Sequence, residues 1–214
     1  MYIIYDIFYL ILITICKDKI SMKMAFRPAD SWRWYFDDEY DSLMLEISPE
    51  MLFRCNYASK ILIPDVFNEF SFSVDDATAY YLFFESCQSL ALSDWQKIEL
   101  SINAIVASNF LKPQMPKSWY FTQQPMLYNP KVADIVEVNL QETGQRVYLL
   151  VVEAGENASL CIVAQPTFVA MNKTFYFSEA IKVMNDRLAL AKQFIKTEKK
   201  MTLDDKHTEL KAIS

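Results

Sequence analysis

Glycine is almost missing from this chain of 214 residues: Gly144 and Gly155 are the only two. Dinucleotide-binding and nucleoside-triphosphate loops need several glycines at fixed spacing, so that backbone amides can approach phosphate. Two isolated glycines exclude both motifs. Histidine is scarcer still, with His207 alone in a polar carboxy-terminal stretch. A Ser-His-Asp or Cys-His pair would have to recruit it from there, which argues against a rigid catalytic triad. Cys16, Cys55, Cys87 and Cys161 are widely spaced and form no CxxC pair. They lack the ligand spacing of a zinc or iron–sulfur site, and reduced, partly buried thiols are the simpler reading. No cofactor and no metal are therefore expected. Positive charge is also in short supply: Lys and Arg number 21 against 27 Asp and Glu, for a net charge of -6. A general nucleic-acid binder normally carries a basic face, and this balance speaks against one.

Apolar residues, by contrast, are plentiful. The hydrophobic fraction is 52% and aromatics make up 14%, enough for a packed core in one medium domain or two small ones. The first apolar run is YIIYDIFYLILITIC, Tyr2 to Cys16. It is short for a span of about 20 residues, and Asp6 interrupts it. It has neither a basic leader nor a small-residue cleavage site. Lys17 and Lys19 follow it, and beside a short anchor they would hold the rest of the chain in the cytoplasm. Met22 and Met24 offer later starts, and translation is expected to begin at Met24, which makes residues 1–23 a mis-called start. On either reading the globular part is cytoplasmic, with no stable membrane insertion.

From Ser31 onward the pattern alternates. WRWYFD and LMLEI flank the polar DEYDS as a hairpin, and MLFR supplies a third strand. Ser73 precedes an apolar run that opens with Asp75 and Asp76, an N-cap with acidic residues in the first turn. Ser93 and Gln96 stand at capping-box spacing before Trp95, Ile98, Ile102, Ile105 and Val106, which recur at helical intervals. Pro113 and Pro116 close that helix. VADIVEVNL, RVYLLVVEAG, ASLCIVAQP and KTFYFS then read as strands, with a turn through Gly144. EAIKVMNDRL reads as a short helix with Ile181, Met184 and Leu188 on one face, and a mobile tail follows from Ala189. The expected architecture is α+β: an α/β domain at 24–117, then a twisted, mostly β, barrel-like domain at 118–188, with a flexible tail at 189–214.

Candidate chemistry is thin. Asp75 with Asp76, and Glu153 with Glu156, are possible acid–base pairs, but the first sits at a helix start and the second brackets the turn AGEN. Asp37, Asp38, Glu39 and Asp41 could gather a metal, yet strand-joining turns are commonly this acidic. A different kind of feature is LKPQMPKSWYF, Leu111 to Phe121, where Lys112 and Lys117 lie beside two prolines and ahead of Trp119. A solvated hinge explains the lysines cheaply. Rigid aromatic and methionine side chains also suit a protein-docking anchor, since they lose little entropy on binding. Composition alone leaves hinge, phosphate patch and docking surface open.

Longer strings carry more information. DSWRWYFDDEYDSLMLE, MLFR, FSVDDA, LKPQMPKSW, LLVVEAGENASLCIVAQP and EAIKVMNDRL occur in that order. Together they resemble the Z-ring-associated cell division protein C family of gammaproteobacteria, from about Met24 to Leu188. Family members begin with Met-x-x-x-Pro, matched here by MAFRP. The resemblance implies a cytoplasmic, non-enzymatic accessory protein of cell division. Such a protein binds the tubulin-like GTPase FtsZ, favours lateral association of its filaments and stabilises the ring at midcell. It also implies an amino-terminal α/β domain followed by a small twisted β-barrel-like one. Lys112, Lys117, Trp119 and Leu45 match positions of the family motifs and are the expected partner-binding residues; for Leu45 the plain alternative is a strand core residue. The readings from other classes are a small cytoplasmic enzyme with an interdomain pocket and a nucleic-acid-binding adaptor.

Overall fold

The computed structural model describes residues 26–191. The apolar run before Met24, with Cys16, and the stretch holding His207 lie outside the described residues.

β1 (Arg33–Asp37), β2 (Ser42–Ser48) and β3 (Met51–Ala58) form an antiparallel meander, and β4 (Phe70–Ser71) joins the far side of β1 in the order β3-β2-β1-β4. Between β3 and β4, a stretch whose structure the sequence did not settle makes two short 3₁₀ turns, Ser59–Ile61 and Pro64–Phe67. Two helices follow, α1 (Val74–Cys87) and α2 (Asp94–Phe110). Both begin with reciprocal capping boxes: Ser73 with Asp76, and Ser93 with Gln96. Each box satisfies amides that the first helical turn would otherwise leave unpaired. Asp76 does more than cap. Its carboxylate also accepts from the Trp34 indole at 3.3 Å and the Asn109 amide at 3.1 Å, tying β1, the start of α1 and the end of α2 together.

α2 is the spine of the molecule. Leu100 to Ala107 are all buried, so this helix has no solvent face along its middle two turns. Its buried polar groups are satisfied: Ser101 donates to the Lys97 carbonyl, and Asn103 accepts from the Asn56 amide while donating to the Glu99 carbonyl. One side of α2 meets Phe53, Cys55 and Tyr57 of β3; another meets the second sheet.

That second sheet comprises β5 (Ile135–Asn139), β6 (Arg146–Glu153), β7 (Ala158–Val163), β10 (Ala180–Met184) and β11 (Ala189–Leu190), in the order β10-β7-β6-β5-β11. Its strands alternate between two cores, as a pleat of period two requires. Ile135, Leu150, Val152, Leu160 and Ile162 join the core around α2. Val136, Leu149, Val151, Cys161 and Val163 face the opposite way into a second core. A hairpin of β8 (Thr167–Ala170) and β9 (Lys173–Tyr176) closes that second core with Phe168 and Phe175, stacked at 4.7 Å. The portions expected at 24–117 and 118–188 thus meet in one continuous core.

The α+β class and the order of the two portions stand. Three details differ. Ala180–Met184 is a strand, followed by a single 3₁₀ turn at Asn185–Arg187, where a short helix was expected. Antiparallel pairing with β7 decides it, putting Ile181 and Val183 inward and Lys182 and Met184 outward. Ala189–Leu190 pairs with β5, and Ala191 is fully buried, so the packed body extends past Leu188 into the expected tail. Among the described residues the strands form two open sheets and a separate two-stranded hairpin, with no closed barrel.

Both glycines are spent on backbone geometry. Gly144 takes φ +66° in the turn between β5 and β6, a conformation open to glycine at little cost. A Cβ on Gly155 would stand 2.3 Å from the Ala158 carbonyl oxygen.

Candidate functional site

The segment after α2 is a ribbon fastened at intervals. Pro113 disfavours helix at Lys112, and Leu111 leaves α2 in extended conformation to bridge Leu62. The Lys112 amide donates to the Ile61 carbonyl and its ammonium to the Lys60 carbonyl at 2.9 Å. Further on, the Lys117 amide donates to the Lys182 carbonyl, and the Met184 amide donates to Ser118 Oγ, both at 2.8 Å. Carbonyl 182 and amide 184 belong to the edge of β10 that pairs with no named strand, and the ribbon occupies it. Gln124 adds two bonds, from its amide to the Asp186 carbonyl and from its side chain to the Arg187 carbonyl.

This anchoring decides which side chains face outward. Phe121 is buried in the second core and Tyr120 packs edge-on against Phe175 at 5.2 Å. Trp119, between Ser118 and Tyr120, is 57% exposed, and Met115 is 80% exposed. Met126 and Leu127, just beyond, are more than three-quarters exposed as well. Lys112 is exposed and Lys117 half-buried. The structure therefore brings Lys117 and Trp119 to one short stretch of surface. Lys112 sits at its other end, against the Lys60 turn.

Leu45 lies elsewhere. It is fully buried in the middle of β2, opposite Trp34 and Phe53. With no surface to present, it can affect a partner only through the sheet it supports.

Two cations that the sequence reading did not single out come to the ribbon through its backbone bonds. Lys182 lies 3.7 Å from Glu153, and Arg187 lies 3.7 Å from Asp186. One further signal was available in the sequence. Between Glu99 and Asp134 there is no acidic residue, while Lys112, Lys117 and Lys131 fall in that interval. In a chain of net charge -6, an acid-free stretch with exposed apolar anchors is a distinct surface.

The other candidates take structural places. Asp76 is consumed by the capping and indole bonds above, and Asp37 accepts from the Glu39 and Tyr40 amides in its turn. Asn185 ties the turn holding Glu153 and Glu156 by donating to the Gly155 and Glu156 carbonyls. Cys55, Cys87 and Cys161 are free and buried. Burial pushes up the thiols of Cys55 and Cys161, and that of Cys87 to about 12, which disfavours the reactive thiolate. Among the described residues no group of three or more His, Cys, Asp or Glu is arranged to hold a metal ion. No helix among them is long and apolar enough to cross a membrane.

A cleft of about 520 Å³ lies between the end of α1 and the loop before β5, lined by Glu85, Tyr128, Lys131, Asp134 and Leu190 among others. Its Asp134 carboxylate accepts from the Tyr128 hydroxyl and the Lys131 amide, both at 2.6 Å. The described lining contains no cysteine or histidine.

Comparison with known proteins identifies two adjoining family segments. The family description "Cell-division protein ZapC, N-terminal" matches residues 25–112, and "Cell-division protein ZapC, C-terminal" matches residues 113–193. The chain is similar to the cell division protein ZapC of Proteus mirabilis, at 42% identity over 166 residues, covering 78% of this chain and 91% of that protein. It is likewise similar to that of Xenorhabdus bovienii, 42% identical over 77% of this chain and 91% of the relative. The Vibrio cholerae protein is 38% identical over 76% and 91%.

Proposed function

The chain belongs to the cell-division protein ZapC family, and on that premise we propose that it is a non-enzymatic accessory protein that binds FtsZ filaments. It favours their lateral association and stabilises the ring at midcell, acting from the cytoplasm. The observation that carries this reading is the ribbon from Lys112 to Gln124, a segment without acidic residues that exposes Trp119 on an otherwise acidic protein. Aromatic anchors of this kind dominate binding energy at protein interfaces, and cations nearby steer acidic partners. Against an acidic filament surface, a chain of net charge -6 meets like-charge repulsion, and local positive groups then matter more than the total. A filament repeats the same surface many times, and modest affinity per site adds up when one adaptor, or one adaptor oligomer, reaches two filaments. Lys112, Lys117 and Trp119 are the proposed contact residues, and Leu45 supports them through the fold.

Sedimentation with and without polymerised FtsZ tests the reading. The protein should pellet with polymer alone, and light scattering should rise as filaments bundle. The Lys112→Glu, Lys117→Glu double variant should keep its circular dichroism and lose about tenfold in affinity at matched salt. Absence of polymer-dependent pelleting by the unaltered protein sinks the function. Unchanged binding by a folded double variant removes the lysines from the site. A steep salt dependence of binding to DNA or RNA instead of filaments is the signature of phosphate contacts and of the nucleic-acid alternative.

A further inference from the structure

We propose that Ser118 and Gln124 are positioning residues for the docking surface: Ser118 holds the ribbon to the outer edge of β10 and Gln124 holds it to the turn that follows, so that Trp119 is presented in one orientation beside Lys117. The inference rests on the function proposed above, but its first readout needs no partner.

An exposed tryptophan on a proline-containing segment would ordinarily sample many orientations, and a binding site that must first be ordered loses affinity to that ordering. Here the backbone on both sides of Trp119 is already committed. Before it, the Lys117 amide reaches the Lys182 carbonyl, and Ser118 Oγ accepts from the Met184 amide. These are the bonds an added strand would make to β10, except that a side chain supplies the acceptor. After it, the Phe121 ring is anchored in the second core, the Thr122 amide reaches the Asn139 carbonyl, and Gln124 makes its two bonds to the 3₁₀ turn at Asn185–Arg187. Of these fasteners, the Ser118 hydroxyl and the Gln124 carboxamide are the two made by polar side chains. Neither contributes charge or apolar area, so their value to docking lies in geometry. The bonds at Lys117 and Ser118 also occupy main-chain groups of a β10 edge that would otherwise invite strand pairing from another chain.

The test compares Ser118→Ala with Ser118→Thr in the full chain, with Gln124→Ala as a second, independent variant. Nitrogen-15 relaxation of the Trp119 indole, assigned through Trp119→Phe, reports its order without FtsZ. Ser118→Ala should make that indole more mobile and weaken filament binding about three- to tenfold, the scale of one hydrogen bond. Ser118→Thr keeps a hydroxyl and should restore both readouts, which a loss of general stability would not do. Gln124→Ala should repeat the effect should Ser118→Ala fold poorly. An indole as ordered as in the unaltered protein, in folded variants lacking either side chain, overturns the assignment. That result leaves the function itself standing, because the unaltered protein still pellets with polymer. Failure of the unaltered protein to pellet while the indole responds as expected separates the two in the other direction.

Discussion

In the amino-terminal sheet, β3 turns Phe53, Cys55 and Tyr57 inward and leaves Leu52, Arg54 and Asn56 exposed, whereas in the five-stranded sheet β6 buries Leu149 and Leu150 alike. The first keeps a wet face along β3, as antiparallel meanders commonly do, although Met44 of β2, opposite Arg54 on that face, is covered. The second is sandwiched, with α2 on one side and the β8–β9 hairpin and ribbon on the other. The difference teaches where substitutions are tolerated and where function can be placed. A sheet buried on both faces offers no surface of its own, so the ribbon laid against its edge becomes the available face.

Three measurements would break or sharpen that contrast. The largest effect is expected at the shared core: Leu150→Ala should cost about 2–5 kcal/mol in urea unfolding, while Leu52→Ala on the wet face of β3 should stay within about 0.5 kcal/mol. Equal costs at the two positions would erase the distinction between the sheets. A smaller effect belongs to the helix caps. Ser93→Ala removes the acceptor for the Gln96 amide and should lower stability by about 1 kcal/mol. Ser93→Gly should cost less, and a silent Ser93→Ala would mean that packing alone starts α2.

The smallest effect concerns Glu99, on the flank of α2 beside β3. Burial raises its carboxyl above the usual range, partly offset by the bond from the Asn56 amide at 3.3 Å. The folded state therefore binds the proton more tightly than the unfolded chain does. Stability falls as pH rises through the window between the unfolded and the raised folded value, and the penalty is in force at neutral pH. Glu99→Gln keeps an acceptor for Asn56 and should raise Tm slightly at pH 7, with the gain vanishing in acid. A gain independent of pH would point away from the carboxylate.

Local features were legible in the sequence because local chemistry makes them. Ser73 and Ser93 marked both helix starts, Gly144 marked its turn, and the hairpin around DEYDS alternated visibly. Long-range pairing was harder. In EAIKVMNDRL the spacing of Ile181, Met184 and Leu188 fits a helix, and Ile181 with Val183 fits a strand equally well; only β7 decides. The short β8 escaped notice because its hairpin turns through Met171 and Asn172, at φ 46° and 64°, with no glycine to announce it. For the candidate site, Lys112, Lys117 and Trp119 were visible as one contiguous string. Lys182 and Arg187 were not, since only the fold brings residues so far apart in the chain to the ribbon. Leu45 could be read as a strand residue, but its complete burial comes from the assembled three-strand meander and the core packed on it.

The placement of α2 has a consequence for how this protein can be inherited. Its two family segments abut at Lys112 and Pro113, a seam at which a gene could be cut or shuffled. Yet the helix encoded before that seam covers Ile135, Leu150, Val152, Leu160 and Ile162, all encoded after it. A fragment starting at Pro113 would carry those side chains bare, and a fragment ending at Lys112 would leave one flank of α2 without a partner. Recombination at the seam can thus yield a working descendant only when both segments travel together, or when the incoming one brings a replacement for that helix.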